Sequence, residues 1–136
     1  MQSWLAKKLL DHNLARLRAG DYRPLLRFDH PDIRFRFPGD SSWAVDLQGR
    51  DELERWLQRL VDTGMQLYAD EAVLVGPPWN ATICLRGTDH LDRDGKRVYD
   101  NRFVIWGRMK WGRLYEYEVY EDTQASKALD EHLSAA

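Results

Sequence analysis

The order of the secondary-structure signals predicts an α+β fold, with N-terminal helices packed on a curved antiparallel sheet. Hydrophobic residues recur at helical spacing in the first part of the chain, whereas long alternating, aromatic-rich segments fill the part after Gly64. Asp94 and Gly95 stand between two of these segments and are a strong signal for an antiparallel hairpin. Long strands of this kind can curl into a cone that the helices close, which is a natural ligand pocket.

The helical segments are delimited by periodicity and by glycine. Residues 4–18 predict an amphipathic helix, which Gly20 ends in a left-handed conformation. Asp21 can cap a short second helix with Pro24 in its first turn. Residues 51–61 predict a third helix that stops near Gly64, with Leu and Trp side chains on one face.

The strands follow from alternation and from the turn residues between them. Residues 29–32 are expected to form a turn, and residues 33–37 a strand with Ile33, Phe35 and Phe37 on one face. A loop over 38–42 precedes a short irregular strand over 43–48. The remaining predicted strands cover residues 65–75, 79–91, 98–106 and 114–121, and a final helix covers residues 123–136.

Composition bounds the function classes. With 136 residues and 16.0 kDa, the sequence predicts a single domain over residues 1–136 that needs no disulfide to stabilise its core. A net charge of −2 argues against a nucleic-acid partner. Cys84 is the only cysteine, and neither an apolar run of membrane length nor a signal-peptide pattern occurs. We therefore expect a soluble, cytoplasmic protein with no membrane partner.

Several motifs resemble one superfamily. Residues 19–21 (Ala-Gly-Asp) lie between two helices, residues 33–39 read Ile-x-Phe-x-Phe-Pro-Gly, and residues 49–53 lead into a helix. With residues 77–83 and 120–124, this pattern resembles the NTF2-like superfamily, in its SnoaL-like and ketosteroid-isomerase-like subgroup. The resemblance covers about residues 9–124. It implies a cone-shaped fold and dimers, in a superfamily of isomerases, dehydratases, cyclases, epoxide hydrolases and non-catalytic members.

The resemblance also argues against one familiar reaction. Ketosteroid isomerases move a proton with a carboxylate base, aided by a tyrosine and a protonated aspartate. Aligned on the same motifs, those three positions fall on Phe37, Asn13 and Asn101. Because Phe37 cannot accept a proton, that mechanism is not expected here. Asn101 could still anchor a ligand carbonyl, or it could be a structural amide bonded to a neighbouring strand.

Two other carboxylates are candidates for proton transfer. Alternation over residues 115–121 places Tyr115, Tyr117, Val119 and Glu121 on one face. The resemblance implies that this face is the inward one, with Glu121 at the mouth of the cone. The face of Asp89 depends on the hairpin register. A two-residue loop places it opposite Asp100, and a three-residue loop places it opposite Asn101. If Asp89 points inward, burial would raise its pKa and suit it to general acid/base catalysis, and otherwise it is an exposed hairpin residue.

A set of mainly aromatic residues is expected to form an apolar ligand-binding pocket for a flat, multi-ring compound. Its members are Asn13, Phe35, Phe37, Trp43, Trp56, Leu85, Phe103 and Tyr117. No metal is expected, because the histidines are scattered and no ligand motif occurs. No phosphate loop or dinucleotide fingerprint occurs either, so no cofactor is expected.

The sequence thus leaves competing functions open. One hypothesis is a cofactor-independent isomerase, cyclase or dehydratase that acts on a polycyclic or polyketide-like compound, with Asp89, Asn101 and Glu121 as catalytic residues. The alternatives are a non-catalytic ligand-binding domain and a dimeric protein-interaction domain. The sequence also predicts a homodimer through the outer face of the sheet, because Val104, Trp106 and Tyr120 are too apolar to be left to water.

Overall fold

The computed structural model describes residues 3–134 as four helices and a six-stranded sheet. In chain order the elements are α1 (Ser3–Arg18), α2 (Arg23–Phe28), β1 (Asp29–Phe37), β2 (Val45–Gln48), α3 (Arg50–Thr63), β3 (Gln66–Val75), β4 (Ala81–Arg93), β5 (Lys96–Lys110), β6 (Arg113–Glu121) and α4 (Thr123–Ser134). The α+β class is therefore confirmed. The last two residues of the predicted final helix lie outside the described residues.

The sheet is mixed, which corrects the expectation of a wholly antiparallel one. Its strand order is β2-β1-β6-β5-β4-β3, and β1 pairs with β6 in parallel while all other neighbours are antiparallel. After the β1–β2 hairpin, α3 carries the chain to the opposite edge. The meander from β3 then returns across the sheet, and its fourth strand reaches β1 running in the same direction.

The turn expected at residues 29–32 is instead the beginning of β1. Asp29 pairs with Leu114 of β6, and the register shifts before Arg34 pairs with Glu116. Pro31 is tolerated there because β2 covers only the second half of β1, so no strand needs the missing N–H. The longer strand places Asp29 on the same face as Ile33 and Phe35.

Asp89 lies opposite Asn101, and a bulge decides this register. Arg93 pairs with Lys96 across a two-residue loop, in which Asp94 and Gly95 have φ of 52° and 76°. These positive angles are those of a type I′ hairpin turn. Leu91 nevertheless pairs with Tyr99, so one extra residue, Val98, is inserted in β5. The loop is short, yet the pairing is the one expected from the longer loop.

A second bulge corrects the inward face expected for β6. Trp111 and Gly112 form another two-residue turn, but Met109 pairs with Leu114 and Arg108 with Glu116, so Tyr115 is the inserted residue. Leu114 therefore takes the inward position next to Tyr117. The Tyr115 ring stacks on His30, with 4.2 Å between ring centroids.

The helices cover the concave face of the sheet and bury one continuous core. α1 packs mainly on β3, α3 on β1 and β2, and α4 on β5. Trp79, which the sequence places in a strand, lies in the turn before β4 and is 58% exposed. Among residues 3–134, no helix is long and apolar enough to cross a membrane.

Candidate active site

A cavity of about 190 Å³ lies between the concave face of the sheet and the helices. The strands supply its lining from alternate positions: Leu85 and Asp89 from β4, Tyr99 and Phe103 from β5, and Glu121 from β6. All of the residues expected to form the pocket border this cavity. They are Asn13, Phe35, Phe37, Trp43, Trp56, Leu85, Phe103 and Tyr117. Their binding of a ligand stays a prediction.

Aromatic side chains form one wall of the cavity. The rings of Phe35, Phe37 and Trp43 each lie within 6 Å of the Trp56 ring, with centroid distances of 4.7, 5.7 and 5.8 Å. The Trp56 indole donates a hydrogen bond to the carbonyl oxygen of Trp43 at 3.1 Å, which fixes α3 against the loop before β2. The wall is therefore closely packed and mainly apolar, with Phe37 at the position that the resemblance gives to a base.

Polar side chains gather at the end of the cavity that α4 closes. Glu121 Oε1 accepts hydrogen bonds from the Tyr99 hydroxyl at 3.0 Å and from the Ser126 hydroxyl at 2.8 Å. Asn101 Nδ2 donates to the Tyr99 hydroxyl at 2.9 Å and to the carbonyl oxygen of Asp122 at 3.0 Å. Asp89 completes the cluster from the neighbouring strand. All five side chains are buried or largely buried.

The two carboxyl groups of this cluster perturb each other. Burial, reinforced by the nearby Glu121, raises the pKa of Asp89 to about 8. Burial also raises the pKa of Glu121, although its hydrogen bonds from Ser126 and Tyr99 oppose that rise. Two carboxyl groups in one apolar site resist ionising together, and the better hydrogen-bonded one ionises first. As the pH rises, Glu121 therefore ionises before Asp89, which keeps its proton to about pH 8.

Each carboxyl group has one fully buried oxygen that makes no hydrogen bond within residues 3–134. Asp89 Oδ1 and Glu121 Oε2 are buried and have no hydrogen-bond partner in the described chain. A proton held between the two groups would give each of them a partner. A ligand in the cavity could equally meet an acid and a base side by side, because both residues border the cavity.

Asn101 lies behind this pair rather than on the cavity wall. Both of its hydrogen-bond acceptors belong to the protein, and its exposed fraction is 8%. The geometry thus holds the Tyr99 hydroxyl in place, with its proton directed to Glu121. A direct contact between Asn101 and a ligand carbonyl stays a prediction.

Sequence reasoning missed three polar residues of the cavity: Asp29, Tyr99 and Ser126. Ser126 and Tyr99 depend on how α4 docks and on the β5 bulge, neither of which leaves a local signal. Asp29 did leave one, because continuing the alternation of β1 backwards from Phe37 and Phe35 places it inward. The assignment of a turn to residues 29–32 concealed it.

Asp29 lies in the cavity wall at the beginning of β1, with 4% of its surface exposed. Burial raises the pKa of its carboxyl group to about 8, even though Arg50 opposes the rise. Arg50 donates a hydrogen bond to the backbone carbonyl of Asp29, and its Nε is buried without a partner in the described chain. Burial, and secondly Asp29, raise the pKa of the Tyr117 hydroxyl well above its usual range.

Solved structures with the same architecture identify the fold. TerC, co-crystallised with polyporic acid, matches with a TM-score of 0.74 at 22% identity, over 91% of this chain and 96% of its own. An NTF2-like protein of unknown function from Burkholderia pseudomallei matches with a TM-score of 0.70 at 21% identity, over 86% and 90% of the two chains. An NTF2-like protein from Anabaena variabilis gives 0.68 at 17%, over 89% of each chain. The fold is NTF2-like.

No protein-family model matches the sequence, and no match was found among curated proteins. At these low identities the structural similarity establishes the NTF2-like fold alone. The chemistry of this NTF2-like cone must therefore be argued from its own side chains.

The side chains of the NTF2-like cone favour proton transfer. The cavity combines an apolar lining with a carboxyl pair, Asp89 and Glu121, whose pKa values are raised by burial. Within residues 3–134, no group of three or more His, Cys, Asp and Glu side chains is arranged to hold a metal ion. Cys84 lies partly exposed in β4 opposite Trp106 and does not border the cavity.

Proposed function

We propose that this protein is an enzyme that binds an apolar, polycyclic or polyketide-like compound and moves a proton within it by general acid/base catalysis. The observation that carries the proposal is the pair Asp89 and Glu121, which are buried together at the cavity wall with one free oxygen each. A carboxylate and a carboxylic acid held side by side can take a proton at one substrate atom and deliver one at another.

The roles follow from the hydrogen bonds. Glu121 is the base, because two hydroxyl groups stabilise its charged form and leave Oε2 free to accept a proton. Asp89 is the acid, because burial keeps its carboxyl group protonated near neutral pH. Asn101 acts as a positioning residue for Tyr99, which it holds by a 2.9 Å hydrogen bond.

This assignment fits a limited group of reactions. Isomerisation, aldol-type cyclisation and dehydration each begin when a proton is removed from a carbon beside a carbonyl group. The electron pair of that C–H bond moves towards the carbonyl oxygen, and an acid donor stabilises the resulting enol or enolate. Glu121 and Asp89 supply the acceptor and the donor. The apolar aromatic wall supports a flat, multi-ring substrate.

The comparison with TerC gives independent support for a small-molecule ligand, because that protein of the same fold was crystallised with polyporic acid. For the present chain the ligand itself is part of the proposal. A non-catalytic binding domain would need the same apolar cavity, but it would not need an acid and a base beside each other.

The test uses 5-nitrobenzisoxazole, a small apolar probe that a general base opens. The base removes the proton on C3 of the isoxazole ring, the C–H electron pair forms the nitrile, and the N–O bond breaks to release a coloured phenolate. We expect the wild-type rate to rise as Glu121 ionises and to fall again as Asp89 loses its proton near pH 8. Glu121→Gln should lower kcat/KM at least about tenfold, since amides are not bases at this pH.

Asp89→Asn and Asp100→Asn distinguish the titration of the Asp89 acid from the general effect of removing a nearby negative charge. The amide that replaces the Asp89 carboxyl group still donates a hydrogen bond but cannot titrate, so the fall in rate at alkaline pH should disappear in that variant. Asp100 lies on the outer face of β5, next to Asn101, with 66% of its side chain exposed. It raises the pKa of Asp89 less than burial and Glu121 do, so its variant should keep both limbs of the profile, with the alkaline limb displaced only slightly to lower pH. If Glu121→Gln has the wild-type rate, the protein is a binding domain rather than an acid/base enzyme.

A further inference from the structure

The cavity contains a third buried carboxyl group, Asp29, that the proposed proton transfer does not use. It is 4% exposed and borders the cavity, and its side chain makes no hydrogen bond within residues 3–134. A buried polar group without a partner is costly, so it commonly has a ligand or a function. Nothing in the chemistry of Glu121 and Asp89 requires it.

Asp29 and the acid/base pair are at opposite ends of the cavity. Asp29 pairs with Leu114 at the beginning of β6, whereas Glu121 is the last residue of that strand. The seven steps between Leu114 and Glu121 correspond to at most about 23 Å of extended chain, at ~3.3 Å per residue. Between the two ends, the lining is apolar and includes Phe35 and Val119.

The charges around Asp29 define which ligand group can approach it. Arg50 is held against the Asp29 backbone by its hydrogen bond to the carbonyl oxygen, so a fixed positive charge lies at this end. A ligand cation would be repelled by Arg50, and the apolar surroundings penalise a ligand anion. A neutral carbonyl or hydroxyl oxygen meets neither penalty. Tyr117 lies on β6 three residues after Leu114, the strand partner of Asp29, and it also borders the cavity. The Tyr117 hydroxyl and the protonated Asp29 carboxyl group can both donate a hydrogen bond to an oxygen.

We propose that Asp29, together with Tyr117, is a second polar binding site that takes a neutral carbonyl or hydroxyl oxygen at the remote end of the substrate. The substrate of the proposed reaction is then an elongated apolar molecule with an oxygen function at each end. One oxygen function is bound near Asp89 and Glu121, and the other near Asp29. This inference rests on the proposed function only for the role of the oxygen function near Asp89 and Glu121.

Two pairs of rigid probes test the second site. They are biphenyl-4-ol with 4,4′-dihydroxybiphenyl, and 4-hydroxystilbene with 4,4′-dihydroxystilbene, measured by isothermal titration calorimetry. Two equivalent ends favour a diol twofold by statistics alone. A hydroxyl that reaches a buried polar partner adds a further gain, so for at least one pair we expect the diol to bind about fivefold tighter to the wild-type protein.

The variants assign that gain to Asp29. In Asp29→Leu the advantage of the diol should fall to twofold or less, whereas Asp29→Asn keeps a hydrogen-bond donor and should retain most of it. Asp29→Ala removes the polar group without adding bulk, and it should lose the advantage in the same way if the leucine variant does not fold. Asp32→Asn, on the exposed part of the same strand, is the matched control and should bind like the wild type.

The outcome is separable from that of the proposed reaction. If no diol gains more than twofold in the wild-type protein, or if the gain persists in Asp29→Leu, the second site is refuted, whatever the rate with 5-nitrobenzisoxazole. If the gain depends on Asp29 but Glu121→Gln leaves the probe reaction unchanged, the second site stands and the acid/base function fails.

Discussion

The protonation of Asp89 links the candidate site to the stability of the fold. Its usual pKa of 3.8 applies to the unfolded chain, and burial raises it to about 8 in the folded protein. Between these two pH values the native state binds a proton that the unfolded state does not, so stability decreases as the pH rises through this window. Below this pH window Asp89 is protonated in both the native and the unfolded state. Above it, Asp89 is ionised in both states, and the native state carries the full cost of burying a second carboxylate.

Asp89→Asn should therefore stabilise the protein in a pH-dependent way. We expect its gain in unfolding free energy to be larger at pH 8 than at pH 5 by about 1–3 kcal/mol, because one pKa unit corresponds to about 1.4 kcal/mol. Urea denaturation at both pH values measures the gain, with Asp100→Asn as the exposed control. An equal gain at pH 5 and pH 8 would contradict the raised pKa of Asp89.

For single residues, the sequence predicts the face of the sheet that a side chain occupies better than it predicts the side chains that it contacts. Alternation groups Phe35 with Phe37 and Tyr117 with Glu121, and the resemblance implies that these faces are the inner ones, where the structure has them. It does not reveal that Ser126 donates to Glu121, because that contact depends on how α4 docks against the sheet. Nor does it reveal that Asp89 and Glu121 lie in the same cluster. The two residues are far apart in the chain, and the β5 bulge decides which of two possible registers Asp89 takes.

At the scale of elements, helices and strands are predictable but the bulges between paired strands are not. Three inserted residues, Asp70, Val98 and Tyr115, shift the pairing of β3–β4, β4–β5 and β5–β6. Each inserted residue reverses the alternation of side chains along its own strand, so the residues beyond it face opposite to what unbroken alternation predicts. Turn chemistry identifies the loops at Asp94 and Trp111, but the compensating bulge is selected by the packing of the whole sheet.

Gly87 gives a test of this packing in β4, beside the bulge of β3. A Cβ atom at this position would lie 2.0 Å from the carbonyl oxygen of Tyr68 on β3 and 2.8 Å from the Phe103 ring on β5. Backbone cannot yield as a flexible side chain can, so the two strands must separate. We expect Gly87→Ala to lower the free energy of unfolding by about 2–4 kcal/mol, measured by urea denaturation.

Thr88→Ala is the matched control for that substitution, because the neighbouring side chain points away from Gly87 and is only partly buried. It should change stability by less than about 1 kcal/mol. Wild-type stability in Gly87→Ala would mean that β3 and β4 do not approach each other as closely as the register of this sheet requires.

At the scale of the whole molecule, the two faces of the sheet are covered unequally. The helices bury the concave face, whereas the convex face of the central strands carries Val104, Trp106 and Tyr120, each 49–50% exposed. Val104 pairs with Tyr120 across β5 and β6, and Trp106 pairs with Cys84 across β4 and β5, so these side chains form one continuous patch. An apolar patch on a sheet face is typical of an interface between subunits.

We therefore predict a homodimer in which two convex faces meet. Light scattering at micromolar concentration should give a mass near twice the 16.0 kDa of one chain. Trp106→Glu buries a charge in that interface and should reduce the mass to that of a single chain. Trp111→Glu makes the same change at the tip of the β5–β6 turn, where the ring is 73% exposed and outside the patch, and should leave the dimer intact. A single-chain mass for the unmodified protein would refute the dimer, and dissociation by both variants would place the contact elsewhere.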